Sequence, residues 1–376
     1  MNRRHFLATS IAALLGGPAF AQQTDAALRA KITAASAKAV AFLDKAQKPD
    51  GSWGSPDYPA MTALCVTAHL RAPGGNFAKG KAVQAGLDFV RQHAQPDGGI
   101  YTRAMGNYNT SICLATLVLA DDHRDDKLIA DARKFLIAGQ AKNSAHPEQN
   151  GGWGYESGGK RGRPDLDNTV FALEALRAAE TQRRTRELPA GPELDWKAAM
   201  DFVSRCQNNT ATNKEPWASD DAGNKGGFIY SPGDSPAGEV TTADGKKALR
   251  SYGSMTYAGV LSLIYAEAKK DDPRIAAAIG WIQRHWSLDE NPGQGGQGLF
   301  YYYHVMAKAL AASGIEELAT EDGKRFRWRE MLAEKLLALQ KPDGSWASEN
   351  PRWMEKDPVL VTCYCIIALA YINGRA

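Results

Sequence analysis

The sequence predicts an all-α protein, a single α/α toroid of six helical hairpins, on three observations. One unit, made of a helix, a Gly-rich turn with an aromatic residue and a second, more apolar helix, recurs six times along the 376 residues. Self-similarity at a period of roughly 45 to 60 residues marks stacked helical hairpins, none of which can bury its own apolar face. The two helices of a unit also differ. The first carries Lys, Arg, Asp and Gln on alternate turns, as at Asp44, Lys45 and Lys48, and the second is apolar nearly all round, which sorts them into an outer and an inner layer. Neither terminal unit shows the polar capping face that an open stack needs, so the stack is expected to close into a ring around a central cavity.

The first unit reads AVAFLDKAQKPDGSWG, then PAMTALCVTAHL; the second reads GLDFVRQHAQPDGGIY, then NTSICLATLVLA. The third is ARKFLIAGQ, NGGWGY and NTVFALEALRAA, and the fourth is AMDFVSRCQ, KGGFIY and SMTYAGVLSLIYA. The fifth, AIGWIQRHW, GQGGQGLF and YYHVMAKALAA, departs most in its turn, and the sixth, KLLALQKPDGSWA and VTCYCIIALAYI, returns to the pattern of the first. Residues 231–250, rich in Gly, Pro, Ser and Thr, form an insert before the fourth inner helix; a loop of that length is usually functional or disordered.

The toroid is expected over residues 30–376, behind an export signal at residues 1–23. Arg3 and Arg4 precede an apolar run, and Ala19-Phe20-Ala21 gives a small-x-small cleavage pattern before Gln22, a secretory arrangement of the twin-arginine type. The protein is therefore expected in the periplasm or otherwise exported. A formal net charge of +3 gives no reason to expect nucleic acid. The rest of the chain has no run approaching the ~18 apolar residues of a membrane span; an apolar patch on the outer helices would still allow peripheral membrane contact. Nothing in the chain specifies an oligomeric state. The five cysteines, Cys65, Cys113, Cys206, Cys363 and Cys365, form no CxxC or CxH array, and most read as small buried hydrophobes.

Phe42 and Gln47, Phe135 and Gln140, and Phe202 and Gln207 share one spacing, and each Gln precedes a turn with Gly and an aromatic, ending in Trp53, Trp153 and Phe228. This pattern resembles the Gln–Trp repeat of squalene-hopene and related terpenoid cyclases and of the protein prenyltransferase β-subunits, which share the α6/α6 toroid. The resemblance runs over residues 35–373. It implies the fold strongly and the chemistry weakly, because the repeat is structural in those families and fold does not carry function. Trp53, Trp153 and Trp346 are expected to pack rather than to touch a ligand.

The stretch from Gly151 to Leu176 carries the chemistry. Asp165-Leu166-Asp167-Asn168-Thr169 opens an apolar helix, where Asp, Asn and Thr accept hydrogen bonds from free N–H groups as N-caps. Two carboxyls two residues apart are also able to share a proton, keeping one of them neutral and acidic. The cyclases carry DXDD followed by Thr at an inner-helix start, and their middle Asp protonates an alkene. Asp165, Asp167 and Thr169 match, and Asn168 replaces the last Asp. The resemblance thus implies Asp167 as proton donor, with Asp165 raising its pKa by like charge and Asn168 orienting the carboxyl. The prenyltransferases instead bind zinc; their His-Thr-Cys-Tyr-Cys context survives as Thr362-Cys363-Tyr364-Cys365, with Val361 in place of the His, and Ser251-Tyr252-Gly253-Ser254-Met255 offers no Asp or Cys. No metal and no cofactor are therefore expected.

Aligning the inner helices on Thr62, Thr110, Thr169, Thr256, Tyr303 and Thr362 brings Tyr58, Tyr108, Asn109, Tyr252, Tyr301, Tyr302 and Asp357 to the same end of the ring as the acidic cluster. Of these, Tyr108, Asn109, Tyr252, Tyr301 and Tyr302, with His304 one helical turn on, are the expected substrate-binding residues; His304 is placed to hydrogen-bond an inner carboxyl. Aromatic faces stabilise a carbocation and equally stack on a sugar or a lipid tail. Three functions compete: acid-initiated cyclisation or isomerisation of an isoprenoid, non-catalytic binding of a hydrophobic or glycan ligand, and hydrolysis or lysis by an acid pair. Two carboxyls so close on one backbone do not flank a scissile bond as a glycosidase pair does.

Overall fold

The computed structural model describes residues 25–75, 77–142, 145–156, 162–242, 245–269, 271–320 and 323–374. The expected export signal lies outside the described residues, as does much of the basic loop ahead of Asp165.

Twelve α-helices run through the described residues: α1 (Ala26–Ala46), α2 (Pro59–Arg71), α3 (Lys81–Gln92), α4 (Gly106–Ala120), α5 (Asp126–Ala138), α6 (Leu166–Thr185), α7 (Trp196–Arg205), α8 (Gly253–Tyr265), α9 (Pro273–Arg284), α10 (Leu299–Ala312), α11 (Trp328–Leu339) and α12 (Pro358–Ile372). The even-numbered helices each pack on the next, and α12 packs back on α2, which closes the inner ring. The odd-numbered helices lie outside it, with α11 against α1 across the same seam. The ring is the α/α toroid that the repeat predicts. Residues 231–250, expected as irregular, contain a two-stranded antiparallel hairpin, β1 (Glu239–Thr241) with β2 (Lys247–Leu249), in which Val240 pairs with Ala248. A second pair, β3 (Leu318–Ala319) and β4 (Arg325–Phe326), joins α10 to α11.

The repeat residues explain why the units stack. The Gln47 side-chain amide donates to Gly51 O at 3.0 Å in its own turn and to Ala82 O at 2.9 Å in the next outer helix. Gln140 does the same with Gly151 O and Asp195 O, and Gln207 with Gly226 O and Arg274 O. One amide thus ties a turn to a carbonyl at the N-terminal end of the next outer helix. Trp53, Trp153 and Trp346 are fully buried, and each indole N–H donates to a carbonyl of its own outer helix, Leu43, Leu136 and Leu336 respectively. They are packing groups. The inner-helix threonines Thr62, Thr169, Thr256 and Thr362 accept the backbone N–H of Trp53, Trp153, Phe228 and Trp346.

Ring closure uses the same device. Gln340 donates to Gly344 O at 3.0 Å and to Ala35 O of α1 at 2.9 Å. Gln340→Ala removes both bonds at the seam and is expected to destabilise the fold by about 1–3 kcal/mol, read as a lower urea midpoint.

Inner-helix starts are capped from the following unit. Ala60 N donates to Asn109 Oδ1, Met105 N to Glu156 Oε1, Ser254 N to Asn291 Oδ1 and Tyr301 N to Glu355 Oε1, at 2.8–3.1 Å. Helices α6 and α12 are the exceptions, capped by their own Asp165 and Asp357.

Candidate functional site: an acid–phenol pair in an aromatic lumen

The cap and acid readings of the acidic cluster fall on different residues. Asp165 is extended at φ −137° and ψ 164°. Its carboxylate accepts Asn168 N at 2.7 Å and Asn168 Nδ2 at 2.8 Å, while its carbonyl accepts the Thr169 hydroxyl at 2.6 Å. Asp165 N is itself tied to Trp153 O at 3.0 Å, so the third Gly-Trp turn fixes where α6 begins. Both Asp165 and Asn168 are buried and occupied with each other. Asp167 sits in the first turn of α6 and keeps part of its side chain accessible. The Tyr301 hydroxyl, from α10, donates to Asp167 Oδ1. Helices α6 and α10 are separated by α8 in the ring, so this bond crosses the lumen.

Burial dominates the electrostatics. It pushes Asp165 up to about 7, reinforced by the Asp167 charge and opposed by the Asn168 and Tyr230 hydrogen bonds. Burial also pushes Asp167 up to about 6 against the Tyr301 hydrogen bond, which favours the carboxylate. The like charge expected to raise Asp167 instead acts on Asp165, and Asp167 is raised by burial alone. Asp165 has its oxygens engaged, whereas Asp167 has one oxygen on Tyr301 and the other free of a cap, and it alone of the pair is partly accessible.

Aromatic rings continue from Asp167. Phe171, one turn along α6, meets Tyr108 of α4 edge-on at 5.8 Å and Tyr301 at 6.4 Å. Tyr301 packs on Tyr364 of α12 at 5.6 Å, and His304 lies 5.1 Å from Tyr364. Tyr108 also contacts Tyr155 at 5.8 Å. Burial raises the phenols of Tyr108, Tyr301 and Tyr364, and lowers His304 well below the usual imidazole range. These aromatic walls are neutral at any ordinary pH, which leaves the two aspartates, with Glu355 behind Tyr301, as the groups that change charge here.

Of the expected substrate-binding residues, Tyr301, Tyr108 and His304 join this wall. Tyr252 is buried at the start of α8, and its phenol is raised by burial and by the Asp167 and Asp165 charges. Asn109 and Tyr302 lie elsewhere. Asn109 is fully buried and spends its side chain capping α2 while donating to Ala104 O and Met105 O. Tyr302 is buried, donates its hydroxyl to Ser287 O at 2.9 Å and packs on Tyr257. One residue is a 100° step on a helix, so neighbours of lumen residues need not face the lumen. Among the described residues His304 makes no carboxyl contact of the kind expected, and its buried Nδ1 has no hydrogen-bond partner.

Sequence reasoning left out Phe171, Tyr155, Tyr230 and Tyr364. Phe171 was visible as the i+4 neighbour of Asp167. Tyr155 and Tyr230 end parallel turns, GGWGY and GGFIY, and Tyr364 stood inside the residual zinc-site context.

No protein-family model matches the chain, and no curated protein matches it in sequence. Among solved structures, a single-residue variant of the type II terpene cyclase MstE from Scytonema, in complex with its substrate geranylgeranyl dihydroxybenzoate, is similar over 93% of this chain and 99% of its own, with a TM-score of 0.55 and 13% identity. The same enzyme without ligand matches at a TM-score of 0.55 and 12% identity, over 93% and 99% of the two chains. A glycosidase variant is similar over 94% of this chain and 99% of its own, with a TM-score of 0.50 and 13% identity. At these identities the likeness shows the fold. The chain has a terpene cyclase-like toroid, an architecture that glycosidases also use.

Proposed function

We propose that this protein is an exported, acid-initiated cyclase or isomerase of an isoprenoid, with Asp167 as proton donor. The observation that carries the reading is a raised carboxyl, partly accessible in a lumen of neutral aromatic rings and held by the Tyr301 hydroxyl. An alkene has no lone pair, so its protonation needs a neutral acid aimed at it. In the step proposed, the Asp167 O–H bond breaks and its proton forms a C–H bond at one alkene carbon, leaving a tertiary carbocation. A second alkene attacks that cation, and loss of a proton to water ends the sequence. The faces of Tyr108, Phe171, Tyr301 and Tyr364 surround the path of the charge, where cation–π attraction is worth ~2 kcal/mol or more when desolvated. The similarity of the fold to an enzyme that takes a geranylgeranyl substrate supports an isoprenoid ligand. The second reading, a non-catalytic carrier of a hydrophobic or glycan ligand, draws on the shared toroid of the glycosidase. Incubation with squalene and linear prenyl compounds, followed by mass-spectrometric product analysis, separates the two.

The pH dependence follows from the acid. Only protonated Asp167 is competent, so with its pKa raised to about 6 the rate is expected to level below that pH and to fall about tenfold per unit above it. A bell with an acidic limb at pH 5 would contradict this assignment. Stability carries the same sign. Asp165, Asp167 and Glu355 are raised by burial to about 7, 6 and 7, above their unfolded values near 4. The folded state binds more protons than the unfolded state between these limits. The stabilisation present below about pH 4 is lost as pH rises through 6 to 7, and scanning calorimetry is expected to show a lower Tm at pH 8 than at pH 5.

A further inference from the structure

A second bridge crosses the lumen two helical turns beyond the acid. Lys308 Nζ of α10 meets Glu174 Oε2 of α6 at 2.6 Å. Glu174 follows Asp167 by seven residues and Lys308 follows Tyr301 by seven, so both pairs lie on the same stripes of the same helices, about 10 Å apart along the axis. On α2 the stripe of partly accessible residues Leu64, Thr67 and Arg71 reaches the same level. Arg71 lies over the Tyr371 ring at 5.2 Å, and among the described residues no group accepts a hydrogen bond from its guanidinium.

Charge placement connects these groups. His304 feels both Lys308 and Arg71, and Tyr265 feels both Glu174 and Arg71. His304 is neutral, so the layer holds two cations and one anion. Lys308 is buried with a single carboxylate partner, and among the described residues the partly accessible Arg71 has none. Arg71 sits in the last turn of its helix, where the dipole favours a cation, but Lys308 does not, so the dipole does not account for the pair. Glu174 offsets Lys308, so the unoffset positive charge is that of the partly accessible Arg71, and a site shielded from bulk water strengthens its attraction for an anion.

We propose that Arg71 and Lys308 form an anion-binding layer in the lumen, which takes the carboxylate or phosphate head of an amphipathic ligand and sets its chain toward Asp167. Where that chain is an isoprenoid, the claim rests on the function proposed above. Glu174 is the internal competitor that holds Lys308 when no head group is present. The layer makes the site selective for a prenyl chain with an acidic end over a plain hydrocarbon or alcohol.

The test measures binding by isothermal titration calorimetry in the Asp167→Asn background, where no turnover interferes. The ligands are geranylgeranyl phosphate, geranylgeranoic acid, geranylgeraniol, and the non-isoprenoid pair dodecyl phosphate and dodecanol. Arg71→Gln and Lys308→Gln are each expected to weaken the phosphates and the acid at least tenfold and to change the alcohols less than twofold. Glu174→Gln is expected to tighten the anions by freeing Lys308, a gain that a purely structural ion pair would not produce. Equal losses for anions and alcohols, unchanged anion affinity in both cation variants, or no binding of any anionic amphiphile to the parent would overturn the layer. Because Arg71 and Lys308 stand on different helices, a folding defect in one leaves the other informative. Phosphates that bind through the layer but are never cyclised by the unmutated protein would sink the cyclase reading and leave the layer standing.

Discussion

Asp167→Asn is expected to abolish turnover, with kcat lower by about 10³-fold or more, while the protein folds and binds its ligand as before. General acid catalysis is commonly worth 10²–10⁴-fold, and an alkene offers no alternative basic atom, so the upper part of that range applies. Asn is nearly isosteric with Asp, and its side-chain oxygen still accepts the Tyr301 hydroxyl that now bonds Asp167 Oδ1. What it lacks is the proton. The α6 start is unaffected because its cap is Asp165 and Asn168. The substitution also removes the like charge that helps hold Asp165 up, so Asp165 is expected to titrate lower in the variant, visible by carboxyl NMR. Residual activity near the parent level would move the acid to another group.

Gly151→Ala is expected to be the most damaging single methyl in the fold. Gly151 sits at φ +95°, and a Cβ there would lie 1.9 Å from Ala198 O and 2.3 Å from Ala198 C of α7. Both atoms are backbone, so no side chain is able to swing aside. Overpacking of this kind costs typically about 1–3 kcal/mol, and the left-handed backbone adds about 1 more; together they give a loss of about 2–4 kcal/mol, measured by chemical denaturation. Gly245 provides the contrast, with φ +80° and no atom within 4 Å of an added Cβ. Gly245→Ala is expected to cost only the backbone part. The position matters for function because Gly151 opens the turn whose Trp153 carbonyl holds Asp165. A loss of stability at Gly151 should therefore bring a loss of activity with it.

The fold was legible because its determinants are local and repeated. A Gln, a positive-φ Gly and an aromatic at fixed spacing do the same hydrogen bonding at the turns after Gln47, Gln140, Gln207 and Gln340, and the apolar inner helices have nowhere to go but inward. The cluster at Asp165 and Asp167 was legible for the same reason, being contiguous and at a helix start. What a single sequence did not show was phase and partnership across the ring. Asn109 and Tyr302 stand beside lumen residues but face capping and packing neighbours. Tyr301 and Asp167, 134 residues apart, meet only because the ring brings α6 and α10 to opposite sides of α8. The same holds for Glu174 and Lys308, which look like ordinary helix-surface charges until the ring closes around them.

Transfer of a proton from Asp167 to an alkene carbon is tested most directly by running the prenyl-substrate incubation in deuterium oxide and mapping the label by mass spectrometry. The account predicts a cyclised or isomerised product with one deuterium at the initiating carbon, and its disappearance in Asp167→Asn. A product without deuterium at that carbon, or an unchanged prenyl substrate beside cleavage of a glycoside, would contradict it.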